Sequence, residues 1–292
     1  MFSIIIPNLH SPLIGNVIAA LRQQSRPELI NEIIVVGQDR HRLITSDRLV
    51  RHDDPQRPLS AAAARNRGFH QARSEWLLFI DADCIAQPTL VETFSQAITH
   101  HDIVGGSVEM EATPYWTVCD NLLTFTSTLD TAPAGPRDYL PSLNFCIKRT
   151  LLQQVNGFDP RFPGAAGEDI DLSLRLRRAG QTLWFEPQAR LYHRPTRATA
   201  GSVAQHLRAF GRAQVRLARS YPDLLASRLS GNIRKLAPAL QVAAPLLACN
   251  DIVSLFATRQ LKAHFLHCLP GLVWGKTAWY WGASEALLVG ND

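Results

Sequence analysis

The sequence lacks a cysteine framework. Its five cysteines (Cys84, Cys119, Cys146, Cys249, Cys268) are odd in number and widely spaced, with no CxxC. That pattern argues for reduced thiols in a cytosolic compartment and against disulfides or a structural zinc site. Long apolar runs are also missing. The longest uncharged stretch, Leu236 to Asn250, is shorter than the roughly 18–20 residues of a spanning helix, and Asp251, Arg259, Lys262, Lys276 and Glu285 break up the remainder. No signal peptide is expected, because Met1-Phe2-Ser3 runs directly into a strand-like Ile4-Ile5-Ile6. Internal repeats and low-complexity segments are absent. The basic excess is modest, with a formal net charge of +5 and a pI near 9.1. Such a balance suits an anionic ligand or a membrane surface. It comes with no nucleic-acid module, so nucleic acid is not an expected partner.

What is present is an alternation of buried strands and amphipathic helices. At 292 residues the chain can hold one large α/β domain, or one domain with a helical appendage. Phe2 to Ile6 reads as a strand stopped by Pro7-Asn8. Ile14, Val17, Ile18 and Leu21 then mark one apolar helix face. Glu32 to Gly37 is a second strand, and strand–helix–strand makes a βαβ unit whose ligand site lies beyond the strand C-termini. Leu49 to His52 reads as a short third strand. Ser60 caps a helix through about Ala72 that carries Arg65, Asn66 and Arg67. Helices over Pro88–Thr99 and from Leu172 to Gly180, and strands over Ile103–Val108 and Leu143–Ile147, complete the regular elements. Between Tyr115 and Pro141 no clear pattern emerges.

The chain is organised around Trp76-Leu77-Leu78-Phe79-Ile80-Asp81-Ala82-Asp83. Five apolar residues make a short buried strand, and two carboxylates follow where it leaves the core. On extended backbone the i, i+2 spacing points both to one side. Such a pair needs a counter-charge, and a divalent cation sharing phosphate and water ligands supplies it. The expected geometry makes Pro7-Asn8, Asp39 and Asp81–Asp83 neighbours.

These motifs resemble the family 2 glycosyltransferases over roughly residues 1 to 195. The resemblance rests on Ile4-Ile5-Ile6-Pro7-Asn8, Ala64-Arg65-Asn66-Arg67-Gly68 and Leu78-Phe79-Ile80-Asp81-Ala82-Asp83. It continues through Asn144 before Lys148-Arg149, Gly157-Phe158-Asp159, and Gly167-Glu168-Asp169-Ile170-Asp171-Leu172 leading to Arg175. Their joint order and spacing is the specific signal. The resemblance implies an α/β GT-A fold, a Rossmann-like mixed sheet flanked by helices, with a helical C-terminal extension. The implied catalytic domain is 1–200, with a nucleotide half of about 1–108 and an acceptor half of about 109–200; 201–292 is the helical region.

The implied roles attach to particular residues. Asp81 and Asp83 match the DxD pair, Asp81 towards the ribose and both towards a Mg²⁺ or Mn²⁺ ion, with His193 as a further metal or diphosphate contact. Pro7, Asn8, Asp39 and Arg65 are nucleotide-side candidates. Asp169 and Glu168 are the catalytic candidates, Asp169 matching the general base, and Asn144 and Gly167 lie on the acceptor side. Gly37-Gln38 stands where relatives often carry two acidic residues, which leaves base recognition to Asp39. The implied activity is inverting sugar transfer from a UDP- or GDP-sugar to a glycan or lipid-linked acceptor in polysaccharide or lipid-linked glycan synthesis. The chemistry suits it: a sugar hydroxyl gains from a carboxylate base, a leaving diphosphate gains from a metal, and mobile glycines at 163–167 could admit substrate.

Two other readings stay open. A strand ending in DxD also opens haloacid dehalogenase-like phosphatases, with Asp81 as nucleophile and Lys148 holding the phosphoryl group. A catalytically inactive nucleotide-sugar binding module is the other. Sugar-nucleotide pyrophosphorylases are disfavoured, since Pro7-Asn8-Leu9-His10 lacks a glycine-rich phosphate loop. In the tail, Arg208, Arg212, Arg216 and Arg219 share one helix face, most simply a solvated one. Gln205-His206-Leu207-Arg208 resembles the QxxRW element of processive polysaccharide synthases, but Ala209 stands in the place of the tryptophan. With Trp274, Trp279, Tyr280 and Trp281 clustered near the end, the tail is expected to lie on a membrane or pack on the domain without crossing. The expected location is cytoplasmic, peripheral on the inner face of the plasma membrane if the tail meets lipid.

Overall fold

A computed structural model describes residues 1–110, 114–162, 164, 166–225, 237–258 and 260–289. Of the segments read from sequence, Pro163 and Ala165 in the glycine-rich stretch, and Leu236 and Arg259 in the tail, lie outside the described residues. The chain forms two compact units, Met1–Glu109 with Thr128–Arg194, and Met110–Ser127 with Pro195–Asp292.

The first unit is built on one nine-stranded sheet. In chain order it contains β1 (Phe2–Leu9), α1 (Ile14–Arg22), β2 (Ile30–Gln38), β3 (Val50–Asp53), α2 (Ala61–Gln71), β4 (Trp76–Ile80), β5 (Cys84–Ala86), α3 (Leu90–Ala97) and β6 (Ile103–Glu109). After the excursion at 110–127 come β7 (Gly135–Arg137), β8 (Asn144–Lys148), α5 (Arg149–Gln154), α6 (Glu168–Arg178) and β9 (Leu183–His193), the excursion itself holding α4 (Tyr115–Phe125). The sheet order is β3-β2-β1-β4-β8-β6-β9-β5, with β7 also on β9. Strands β3, β2, β1 and β4 run parallel, and β8 enters antiparallel between β4 and β6. Parallel strands covered on both faces read as continuous apolar runs, and Ile4, Ile5, Ile6 and Leu77 to Ile80 are all fully buried. Behind β4 the ring of Phe79 meets Phe158 edge-on at 5.2 Å.

Helix α2 begins as its sequence dictates, with Ser60 Oγ accepting from the Ala63 N–H at 3.2 Å. Gly37 is required where β2 ends: its φ is +132°, and a Cβ there would lie 1.7 Å from the Asn8 carbonyl oxygen. This glycine keeps the β1 and β2 ends in contact at the rim of the site.

The second unit holds α4, α7 (Ala200–Ser220), α8 (Ala237–Ala257), a 3₁₀ turn at Ala263–Cys268 and α9 (Leu269–Leu288). Helices α7 and α9 touch backbone to backbone. A Cβ on Gly211 would lie 2.0 Å from the Trp279 carbonyl oxygen, and one on Gly282 would lie 2.0 Å from that of Arg208. Val215, Ala237, Ala283 and Leu287 form a small core where α7, α8 and α9 meet. Fully buried Asp120 on α4 receives Arg197 Nε at 2.9 Å and faces His206 Nδ1 at 2.7 Å.

Three expectations change. Residues 110–127, placed by sequence in the acceptor half, group with the C-terminal helices. Helix α4 was hidden because its buried face includes Thr117, Asp120 and Asn121, whose polarity erases the apolar period. Among the described residues the tail contains one helix long and apolar enough to cross a membrane by length and composition: α8, of 21 residues and mean hydropathy 1.5. Counting an uncharged run stopped at Asp251, but the helix continues past it. There Tyr280 Oη donates to Asp251 Oδ2 at 2.8 Å and Lys276 Nζ lies 3.3 Å away, so the carboxylate is matched internally.

Candidate active site

The C-terminal ends of β1, β2 and β4 converge as a βαβ arrangement requires. Asn8 binds the turn after β1, its Nδ2 donating to the Gln38 carbonyl at 2.9 Å and its Oδ1 accepting from the Ser11 N–H at 3.2 Å. Ser11 Oγ then donates to the Ala82 carbonyl at 2.6 Å. Pro7, Asn8 and the Asp81–Asp83 turn are thereby tied together. The amide of Asn8 is spent on backbone, and Ser11, which sequence reasoning passed over, makes the link. Asp39 Oδ2 accepts from the Ile44 N–H at 2.8 Å, while its Oδ1 is buried with no partner among the described residues. An orphaned buried carboxylate oxygen at the strand ends is a place for a ligand hydroxyl or base N–H.

Asp81 and Asp83 do not sit on extended backbone. The Cys84 N–H donates to the Asp81 carbonyl at 3.1 Å, closing a tight turn. The strand-alternation argument therefore fails, and the two side chains divide. Asp81 Oδ1 accepts from Arg65 at 2.7 Å. Asp83 Oδ2 faces His193 Nε2 at 3.6 Å, because β5 pairs antiparallel with the end of β9 and brings Cys84 opposite His193.

Asp83, Cys84 and His193 offer ligand atoms within 4.8 Å of one another. The Cys84 thiol is fully buried, and burial followed by the charge of Asp83 pushes it well above its usual range. A hard divalent ion takes the carboxylate of Asp83 and the imidazole of His193 in preference to a thiol. That set fits a divalent ion that leaves most positions to phosphate and water.

Arg65 is the centre of the site. Expected on the nucleotide side, its side chain is only 2% exposed. It donates from Nη2 to Asp81 and from Nη1 to Glu168 Oε1 at 2.9 Å, while its guanidinium packs 5.4 Å from the Phe158 ring centroid. One buried cation thus joins the end of β4 to the start of α6. Asn66, next along α2, holds Phe158 by both backbone groups at 2.7 and 2.8 Å. The flanking carboxylates push the guanidinium pKa upward against the burial that lowers it, so it remains charged.

Helix α6 opens on Gly167, whose φ of +95° suits glycine alone. Glu168, Asp169 and Asp171 occupy its first turn, where the helix dipole favours negative charge. Burial, then the neighbouring Asp169, pushes Glu168 up to about 7 despite its bond to Arg65. Asp169 is half-buried; desolvation raises it too, opposed by Arg65 and by the backbone N–H groups of Ile170 and Ser142. Asn144, opposite Ile80 in the β4–β8 register, gives both amide hydrogens to carbonyls of Ser107 and Ala189, at 3.1 and 2.8 Å. Its buried Oδ1 is without a partner among the described residues.

Lys148 cannot serve a phosphatase. It pairs with Trp76 at the far end of β4 and sits 3.5 Å from Glu75. Five residues of strand, about 17 Å, separate that end from Asp81.

The sequence matches the family described as "Glycosyltransferase like family 2" over residues 1–211. The chain belongs to that family. Among curated protein sequences there is no match. This family 2 chain also resembles solved GT-A structures. The mannosyltransferase PcManGT from Pyrobaculum calidifontis, in complex with GDP-Man and Mn²⁺, aligns at TM-score 0.57 and 17% identity, covering 98% of this chain and 87% of that one. S. aureus TarS 1-349 in complex with UDP aligns at 0.54 and 14%, covering 98% and 89%. GalNAc-T7 with UDP, GalNAc and Mn²⁺ aligns at 0.54 and 14%, covering 79% of this chain; the family 2 chain spans about half, 53%, of that protein. The fold of this family member is GT-A, with a mixed sheet flanked by helices and C-terminal helices after it.

Proposed function

We propose that this glycosyltransferase moves a sugar from a nucleoside diphosphate donor to an acceptor hydroxyl with inversion, in a divalent-cation-dependent reaction. The observation that carries the proposal is the division of acidic groups on either side of Arg65. Arg65 holds Asp81 by one nitrogen and Glu168 by the other; Asp83, facing His193, follows the first, and Asp169, its pKa raised by burial, follows the second.

Asp81, with Oδ1 held by Arg65, keeps Oδ2 for the ribose, and the unpartnered Asp39 Oδ1 is placed for the base. Asp83 and His193 would hold the ion, Mg²⁺ or Mn²⁺, beside the diphosphate. When bound, the ion counters the charge that builds on the departing nucleoside diphosphate. Asp169 takes the proton of the acceptor hydroxyl as its oxygen bonds to the anomeric carbon and the bond to the diphosphate oxygen breaks. A carboxylate whose pKa lies above its usual range is a better base for that task. Glu168, bonded to Arg65 through Oε1, positions the first turn of α6, and its buried Oε2, without a partner among the described residues, stands beside Asp169 as the second catalytic carboxyl. Asn144 and Gly167 shape the acceptor side, Asn144 by locking β8 to its neighbours and Gly167 by permitting the turn into α6. Support for the donor class comes from the solved relatives, which carry UDP in TarS and GDP-Man with Mn²⁺ in PcManGT. A cytoplasmic enzyme working beside a membrane on a glycan or lipid-linked acceptor completes the reading.

The test is turnover across a panel of UDP- and GDP-sugars, read as nucleoside diphosphate release with Mn²⁺ present. Asp169→Asn should leave donor binding intact and lower kcat about 10²–10⁴-fold, the range for a general base. A rate within a few-fold of wild type would remove Asp169 from the base role.

A further inference from the structure

The sequence charge divides unevenly between the units. The first has nineteen Lys and Arg against nineteen Asp and Glu, and the second has eleven against six. The whole net charge of +5 therefore belongs to the helical unit. That unit also turns apolar surface outward. On α8, Val242, Leu246 and Val253 are 83%, 77% and 63% exposed, and their spacing of four and seven places them on one helix face. Only 17% of the apolar stretch of α8 is buried. A soluble helix packed into a core would show the reverse.

Between α7 and α9 of the same unit lies a cavity of about 450 Å³ lined by Gly201, Ala204, Gln205, Arg208, Arg212 and Glu285. The small residues of α7 leave the room, and the arginines supply the charge. Glu285 accepts from Arg208 at one oxygen and from Arg212 at the other, the latter at 2.9 Å. Two guanidiniums on one carboxylate leave a positive excess. The buried Nε of Arg208 has no partner among the described residues. Indoles join the cavity to α8: the Arg208 guanidinium is 5.7 Å from the Trp281 ring centroid, and Trp281 Nε1 donates to the Gln241 carbonyl at 3.2 Å, one residue before Val242. Trp274 meets Trp281 edge-on at 5.8 Å and is 37% exposed. Cation, indole and aliphatic groups thus follow one another across the surface in the order in which a bilayer presents phosphate, interface and hydrocarbon.

We propose that the helical unit docks on an anionic lipid bilayer through the outer face of α8, and that the cavity walled by Arg208 and Arg212 receives a headgroup phosphate. The proposal deepens the membrane-side part of the functional reading and is independent of the transfer chemistry. Helix α8 lies in the interface rather than across it. Its bonds to α9, from Ser284 Oγ to the Ala237 carbonyl at 2.8 Å and from Tyr280 to Asp251, fasten it to a helix carrying Lys276 and Glu285. Crossing would carry those charges into hydrocarbon.

The experiment is flotation of the full chain with vesicles of phosphatidylcholine alone and of phosphatidylcholine with phosphatidylglycerol. Binding should appear with the anionic vesicles at low salt and fade as salt rises. The double variant V242D/L246D, which changes only exposed side chains, should bind at least about tenfold more weakly. Arg212→Gln should weaken binding about fivefold, while Arg26→Gln, an exposed arginine of the first unit, should change nothing. No flotation at low salt, or equal flotation of V242D/L246D, would overturn the docking surface. An Arg212→Gln effect no larger than that of Arg26→Gln would overturn the phosphate cavity. Nucleoside diphosphate titration of V242D/L246D should match wild type, so loss of lipid binding and failure of the donor site are told apart.

Discussion

The two units differ in net charge and in where it is matched. The sheet unit is formally neutral, yet it buries a complete ionic cluster: Arg65, inaccessible, between Asp81 and Glu168. The helical unit carries the full net charge of +5 and leaves an apolar helix face exposed. The bulk basicity seen in the sequence therefore says nothing about the donor site. In the proposed reaction an anionic diphosphate would be met in the sheet unit by local placement of a few groups, whereas long-range attraction would come from the helices.

The largest structural effect expected is from removing the buried cation. Arg65→Met would leave Asp81 and Glu168 uncompensated, and breaking a buried pair costs about 3–5 kcal/mol. Urea unfolding should show that loss; a midpoint near wild type would mean that the cluster does not hold the unit together. The contrasting break in the helical unit is Gly282→Ala, where the added carbon would meet the Arg208 carbonyl at 2.0 Å. Overpacking of this kind costs about 1–3 kcal/mol. Thermal melts should register it, and an unchanged Tm would deny the close α7–α9 crossing.

A smaller effect concerns pH. Glu168 ionises near 4.5 when unexposed to its site and about 7 when folded, chiefly through burial. A carboxyl harder to ionise folded than unfolded takes up a proton on folding between those values. Stability contributed by Glu168 is thus present below about 4.5 and is lost as pH rises to about 7. Glu168→Gln, measured with EDTA present, should flatten the Tm profile between those limits; an unchanged slope would assign the titration elsewhere.

Much of the sheet unit could be read from sequence because its strands are buried on both faces and announce themselves as apolar runs. The strand at Trp76–Ile80, the Ser60 cap and the Gly180 stop lie where local chemistry places them; the first strand does not stop at Pro7-Asn8 as expected but stays paired with β2 through Leu9. What escaped depends on partners distant in sequence. Helix α4 buries Asp120, tolerable only with Arg197 and His206 about eighty residues away. Arg65 looks like a surface phosphate ligand until Glu168, over a hundred residues on, is placed against it. Ser11 gives no sequence signal, since its role is one bond to the Ala82 carbonyl. The turn at Asp81–Asp83 shows the same limit: a local hydrogen bond replaces the extended geometry expected there.

The most direct test of the donor site is calorimetric titration of UDP and GDP into the wild-type chain and Asp83→Ala, each with Mn²⁺ and then with EDTA. The account predicts that one nucleotide binds wild type only with the metal and that Asp83→Ala binds neither. Equal binding with EDTA, or unchanged metal-dependent binding by Asp83→Ala, would contradict it.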